Sequence, residues 1–222
     1  MIEFESSSPE RDPSEPHPIE AESYRILRSR VDLSYLPPLT RAVTERIIHA
    51  SADFDYVTDL VADEAALASG VAAIRRGAPV VADVGMVASG ITSYPVICKI
   101  GEGLATRLAR TVGITVSAAA ARLAFGEAGP GAVWVTGCAP TALGEILQRE
   151  VSPALIIGLP VGFVGATEAK QALRDSGLPA LSNRSEKGGS AVAAAAFNAL
   201  LRVARDQDLE GRAAGRPTEG RR

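Results

Sequence analysis

The chain has little of several things, and each shortage excludes a class of function. Only two cysteines, Cys98 and Cys138, occur in 222 residues. Neither belongs to a CxxC pair or has a histidine nearby, so neither a disulfide framework nor a zinc site is expected, and a reduced cytoplasm fits best. Charge of one sign is also scarce: the formal net charge is -3 and the pI about 5.5. With no stripe of Lys and Arg interleaved with aromatics, nucleic acid is not an expected partner. Long apolar runs are missing as well. The stretches Ala154 to Ala166 and Ala191 to Leu201 fall short of the ~18 residues that a spanning helix needs, and Gly and Pro break the first, so no membrane crossing is expected. The N-terminus carries Glu3, Glu5, Glu10 and Asp12 where a signal peptide needs positive charge, which argues against a targeting sequence.

What is present reads as one globular domain over 17–205. Residues 1–16 and 206–222 are too polar to build a core and are expected to be disordered tails. Short β-branched or apolar runs alternate with longer Ala/Leu/Arg segments, the signature of βαβ units around a parallel sheet. The fold class is therefore α/β with about five strands, at 79–82, 96–99, 132–135, 155–157 and 180–181. The apolar period predicts helices at 19–30, 39–50, 64–76, 103–112, 117–125, 140–149, 167–176 and 189–204.

Ligands of parallel sheets collect at the carboxyl ends of the strands, and the loops expected there are the unusual parts of the sequence. Gly137 can turn tightly before Pro140 opens a helix. The segment from Gly158 to Glu168 combines three glycines with Val161, Phe163 and Val164 and could lie against something large and partly apolar. It is not a GxGxxG fingerprint, and Glu168 near a helix start would repel phosphate. The loop from Asn183 to Ser190 brings Arg184, Lys187 and glycine amides to a helix start where carboxylates could be held, although Ser190 as a simple helix cap is the plainer reading. The order of Lys187, Gly188, Gly189 and Ser190 reverses that of a phosphate-binding Walker loop.

Of the two histidines, His17 precedes Pro18 and is expected to start the first helix. His49 falls on the shoulder of an apolar stripe formed by Leu39, Val43, Ile47 and Ala50, with Arg46 one turn below. A nearby guanidinium disfavours the imidazolium and leaves a neutral ring whose proton is easily given up or recovered. Spacing alone leaves open whether His49 is a catalyst or an ordinary packed histidine.

Six segments, in this order, resemble the precorrin-8X methylmutase family, also met as cobalt-precorrin-8 methylmutase. They are His17-Pro18-Ile19 with Ser23-Tyr24, Arg46 to Ala50, Asp83 with Met86-Val87 and Gly90-Ile91, Gly137 to Leu143, Gly158 to Lys170, and Lys187 to Ser190. The resemblance implies a cofactor-free, metal-free isomerase with a three-layer α/β/α fold, homodimeric, which moves a methyl group from carbon 11 to carbon 12 of a corrinoid ring. The product would be hydrogenobyrinic acid or its cobalt form. His49 matches the family's active-site histidine, and Ser23 and Arg46 match its substrate contacts. Arg184, Lys187 and Ser190 are the further residues expected to hold the substrate's carboxylates. This chain has Thr115-Val116-Ser117 where members commonly carry Thr-Arg-Ser, and Cys138 where many have Asn. A non-catalytic corrinoid carrier on the same fold is the alternative.

Overall fold

In the computed structural model, residues 17–149 and 152–214 are described. In chain order the elements are α1 (Pro18–Arg30), α2 (Pro38–Ser51), α3 (Tyr56–Asp59), β1 (Leu60–Ala62), α4 (Glu64–Arg75), β2 (Val80–Ala82), α5 (Gly85–Gly90), α6 (Gly103–Val112), α7 (Val116–Ala128), β3 (Val133–Thr136), α8 (Pro140–Leu147), β4 (Leu155–Gly158), α9 (Ala166–Asp175), β5 (Ala180–Asn183) and α10 (Ser190–Ala214). The five strands lie in the order β1-β5-β4-β3-β2. From β2 to β5 neighbouring strands run parallel, and β1 joins the edge antiparallel to β5. The sheet is mixed and mostly parallel.

The alternation of side chains along each strand makes the three layers. Val80, Ala82, Val133, Val135, Leu155, Ile157 and Leu181 point to one face, where they join buried residues of α1, α2, α4 and α10. Val81, Trp134 and Ile156 point to the other, under Ala121, Leu143 and Leu173 of α7, α8 and α9. Both faces of the central strands are therefore buried, which is why those strands read as unbroken apolar runs. Small residues bring the helices close. A side chain at Gly137 would meet Val87 Cγ2, Ser190 Cα and Ala193 Cβ, each 2.9 Å from the position of a Cβ. Gly137 is not among the residues with positive φ, so this position needs glycine for the close approach of α10 and not for a left-handed turn.

Several expectations change. Residues 96–99 do not form a strand: only Ile97 pairs, in a single parallel bridge to Val81, with its amide donating to the Val80 carbonyl (2.8 Å) and its carbonyl accepting from Ala82 (2.9 Å). The fifth strand is instead β1, whose three residues carry no long apolar run. The short helices α3 and α5 were not expected. On α2 the buried stripe is Val43, Thr44, Ile47 and Ile48, whereas Ala50 is exposed. Helix α10 continues to Ala214, so 206–214 is helical, while the tails expected at 1–16 and 215–222 lie outside the described residues. His17 does cap α1, its Nδ1 accepting from the Ile19 amide at 3.2 Å. Among the described residues, no single helix is long and apolar enough to cross a membrane; α6 and α7, bent by 114°, meet that length and composition only as a pair.

Candidate active site

Helical periodicity builds the site at the crossing of α1 and α2. Glu20, Ser23 and Tyr24 are spaced i, i+3, i+4 and share one face of α1, and Arg46 and His49 are spaced i, i+3 on α2. Ser23 Oγ lies 2.8 Å from His49 Nδ1. The Tyr24 ring stacks on the imidazole with centroids 4.9 Å apart and planes within 8°. Arg46 Nη1 donates to Glu20 Oε1 at 2.5 Å and to the Tyr24 hydroxyl at 3.3 Å. Below them, Arg28 binds both oxygens of Glu45 at 3.0 and 2.7 Å, which fixes the two helices against each other. The imidazole is thus oriented by a hydroxyl at one nitrogen and by an aromatic ring on one face.

His49 is half-buried, and its pKa lies below the ordinary imidazole value. Burial is the largest cause, Arg46 adds to it, and Glu20 opposes it. The neutral ring expected from the Arg46 neighbour therefore has desolvation as its main source. Arg46 is not waiting for a ligand: Glu20 already accepts from it, and the Arg202 guanidinium lies 3.9 Å from the same Glu20 oxygen. Beside this pair runs a cleft of about 780 Å³, lined among others by Tyr24, Arg28, Arg46, Arg202 and Arg205. Glu20, Glu45 and Asp206 line the same cleft and Arg28 and Arg46 are already paired with the first two, so its wall is of mixed charge, and a carboxylate ligand would compete with these acids for the guanidinium N–H groups.

The second group of expected residues follows β5. Lys187 donates to Asp53 (2.7 Å) and Asp55 (2.5 Å), which lie just beyond the end of α2. The loop from Arg184 to Gly189 is thereby tied to the end of α2 that carries His49. Arg184 is exposed, and its amide donates to Asp59 Oδ1 at 3.0 Å. The Ser190 hydroxyl is buried and has no hydrogen-bond partner among the described residues, so it does not act as the helix cap.

The other loops at the carboxyl edge of the sheet differ in character. Asp83, directly after β2, is buried and accepts from the amides of Gly137 (3.2 Å), Cys138 (2.9 Å) and Ala139 (2.8 Å). Burial raises its pKa, and these three amides together with that of Val84 pull it back only in part. This carboxyl shapes the turn that opens α8. After β4, Val161 is partly exposed, while Phe163 and Val164 are 95% and 89% exposed, an apolar lip in a loop with positive φ at Gly162 and Gly165. Cys98 and Cys138 are both free. Among the described residues no group of three or more His, Cys, Asp and Glu could hold a metal ion.

Sequence reasoning missed Glu20, Asp59 and the buried Lys170 as contributors. A signal for Glu20 existed, since it stands one turn before Ser23 on the same helix face. Asp59 and Lys170 act through partners 124–126 and 13–17 residues away, which spacing does not reveal.

Comparison with known proteins supplies the remaining constraint. Residues 18–203 match the family described as precorrin-8X methylmutase. The chain is 39% identical over 199 residues to the cobalt-precorrin-8 methylmutase of Salmonella typhimurium, covering 84% of this chain and 95% of that one. It is 41% identical over 191 residues to the precorrin-8X methylmutase of Pseudomonas aeruginosa, covering 81% and 91%. The solved precorrin-8X methylmutase of Thermus thermophilus superposes with a TM-score of 0.78 at 34% identity, covering 85% of this chain and 96% of that one.

Proposed function

Because the chain belongs to the precorrin-8X methylmutase family, and so to the isomerases of cobalamin biosynthesis, we propose that it moves one methyl group from carbon 11 to carbon 12 of its tetrapyrrole substrate. The product is hydrogenobyrinic acid from precorrin-8X, or cobyrinic acid from the cobalt-containing substrate. The single observation that carries the role of His49 is its fixed, largely neutral imidazole between Ser23 and Tyr24.

Migration of a methyl group around a conjugated macrocycle is balanced within one molecule: a carbon–carbon bond breaks at carbon 11, another forms at carbon 12, and the double bonds shift. The enzyme must hold the ring and bias its electrons with a proton. In our reading the Ser23 hydroxyl donates to His49 Nδ1, which leaves the proton on Nε2. Through that N–H the neutral ring hydrogen-bonds the macrocycle near the migrating methyl; full proton transfer to the macrocycle comes from the imidazolium form, which becomes the neutral ring and recovers the proton as the product conjugation forms. A lowered pKa suits this cycle, because it makes the imidazolium a stronger acid while the neutral ring remains the resting form.

The substrate carries many acetate and propionate groups, so recognition calls for cations around an apolar surface. Arg46, Arg184 and Lys187 supply charge, Ser190 a buried hydroxyl, and the lip of Val161, Phe163 and Val164 a cover for the flat face of the ring. Arg46 and Lys187 are held by carboxylates in the free protein. They are therefore pre-positioned, and the substrate must share them with Glu20, Asp53 and Asp55 or displace those acids. Val116, the first residue of α7, stands where members commonly carry a cation, so that charge is missing here. We also read the protein as a cytoplasmic homodimer.

Incubation of the purified protein with precorrin-8 and with its cobalt form, followed by visible spectroscopy, tests the assignment. Conversion to the product chromophore is the expected result. A bound but static spectrum would instead make the protein a corrinoid carrier, and absence of binding would remove both readings.

A further inference from the structure

Lys170, on α9, is fully buried, yet it ends in an ammonium group. Its Nζ donates to Asn183 Oδ1 at 2.9 Å, to the Lys187 carbonyl at 2.7 Å and to the Ser185 carbonyl. All three acceptors belong to β5 and the loop that follows it. From the opposite side Asp59 accepts from Asn183 Nδ2 (2.7 Å), from the amides of Arg184 (3.0 Å) and Ser185 (2.8 Å), and from the Ser185 hydroxyl (2.7 Å). Asn183 stands between the two charges and also donates to the Lys187 carbonyl at 2.9 Å.

An ammonium group out of water is costly unless all its donors are used, and here they are. Burial nevertheless pushes its pKa down to about 8. An apolar residue would fill the same space at lower cost, but it could not bind two main-chain carbonyls and a side-chain amide. What the ammonium adds is tethering. The same loop is stitched to the β4–α9 loop, with Gly189 donating to the Leu159 carbonyl (2.9 Å) and Gly162 donating to the Glu186 carbonyl (3.1 Å). Gly188, at φ 151°, lies under the Leu159 carbonyl where a Cβ would collide with it. Releasing the tether would therefore loosen Arg184, Lys187 and the neighbouring apolar lip together.

We propose that Lys170 is a positioning residue, which through its three acceptors holds the Asn183–Ser190 loop in the arrangement that receives the substrate's carboxylates. This rests on the reading above that the loop faces the tetrapyrrole. Lys170 itself touches no substrate. The ring of His49 is held by Ser23 and Tyr24 of α1, and the loop reaches α2 only through Asp53 and Asp55 beyond its end, so losing the tether should weaken substrate binding and leave the chemical step nearly intact.

The test is Lys170→Met, which keeps length and bulk but removes the donors. After thermal unfolding shows that the variant folds, trypsin cleavage after Arg184 and Lys187 reads the tether without substrate, and turnover of precorrin-8 reads its consequence. Cleavage faster by about tenfold or more, and KM higher by about tenfold or more with kcat changed less than about threefold, are expected. Unchanged cleavage overturns the tether. Faster cleavage with unchanged KM, or kcat and kcat/KM falling equally, overturns the positioning role. Should Lys170→Met fail to fold, Asp59→Asn withdraws part of the clamp from the partly exposed side and must give the same split. A wild-type protein that neither binds nor converts precorrin-8 removes the functional reading and the positioning role with it, while the cleavage rates still report whether Lys170 holds the loop.

Discussion

Replacing Ser23 with alanine removes one contact and leaves the rest of the site in place, so its effect can be worked out. Ser23 Oγ is 2.8 Å from His49 Nδ1, a normal hydrogen bond between neutral groups. The net value of such a bond is about 0.5–1.5 kcal/mol, and alanine raises helix propensity slightly, so α1 should not unfold. Tyr24 remains stacked at 4.9 Å and still limits rotation of the imidazole out of its plane, but nothing then fixes which nitrogen bears the proton. If that energy is expressed in the transition state, kcat should fall by about 2- to 13-fold, with KM changed much less. Steady-state conversion of precorrin-8, followed at the product chromophore, measures both constants. In a cycle with Tyr24→Leu, the two losses should not add, because both residues hold one ring. A Ser23→Ala enzyme with unchanged kcat, or with a change confined to KM, would refute the orienting role.

Two further outcomes follow from charge and exposure. With only two histidines, nuclear magnetic resonance can follow His49 directly, and it should titrate below the ordinary imidazole range. Removing the opposing charge in Glu20→Gln should lower its pKa further, and Arg46→Met should raise it. A folded-state pKa below the unfolded value means that the unfolded chain takes up the proton first. This histidine's contribution to stability is therefore complete above the unfolded pKa and is lost as pH falls through that value toward the folded one. Phe163→Ser should weaken tetrapyrrole binding by about 10- to 150-fold if the ring covers that side chain, from ~1.5–3 kcal/mol for full burial; equal affinity by fluorescence titration would free the lip from substrate contact.

Some elements were legible for clear physical reasons. Strands β2, β3 and β4 are buried on both faces and appear as apolar runs, and Pro140 marks the start of α8. The run from Val96 to Lys99 has the same composition but sits at the outer edge of β2. There only Ile97 finds partners, so composition predicts a strand where a single bridge forms. The reverse holds for β1, which is three residues long between two acids and owes its pairing to β5. Helix α10 was read too short because its last turns are polar, and polarity marks a solvated helix as readily as a tail.

The site divides in the same way. Helical spacing pairs Arg46 with His49 in the sequence, whereas Ser23 enters only through the resemblance of the ordered motifs. The structure adds what local spacing does not carry: burial as the main reason for a neutral His49, Glu20 as the partner of Arg46, and Lys170 with Asp59 as the clamp on the loop. Lys170 in the sequence is one lysine in an amphipathic helix, and only the packing of α9 on β5 takes it out of water.

If His49 handles a proton in the methyl shift, turnover must collapse when His49→Ala removes the imidazole. The expected variant is a folded protein that still binds precorrin-8 but converts it about 10²–10⁴ times more slowly. Conversion at nearly the wild-type rate would contradict it and remove His49 from the mechanism.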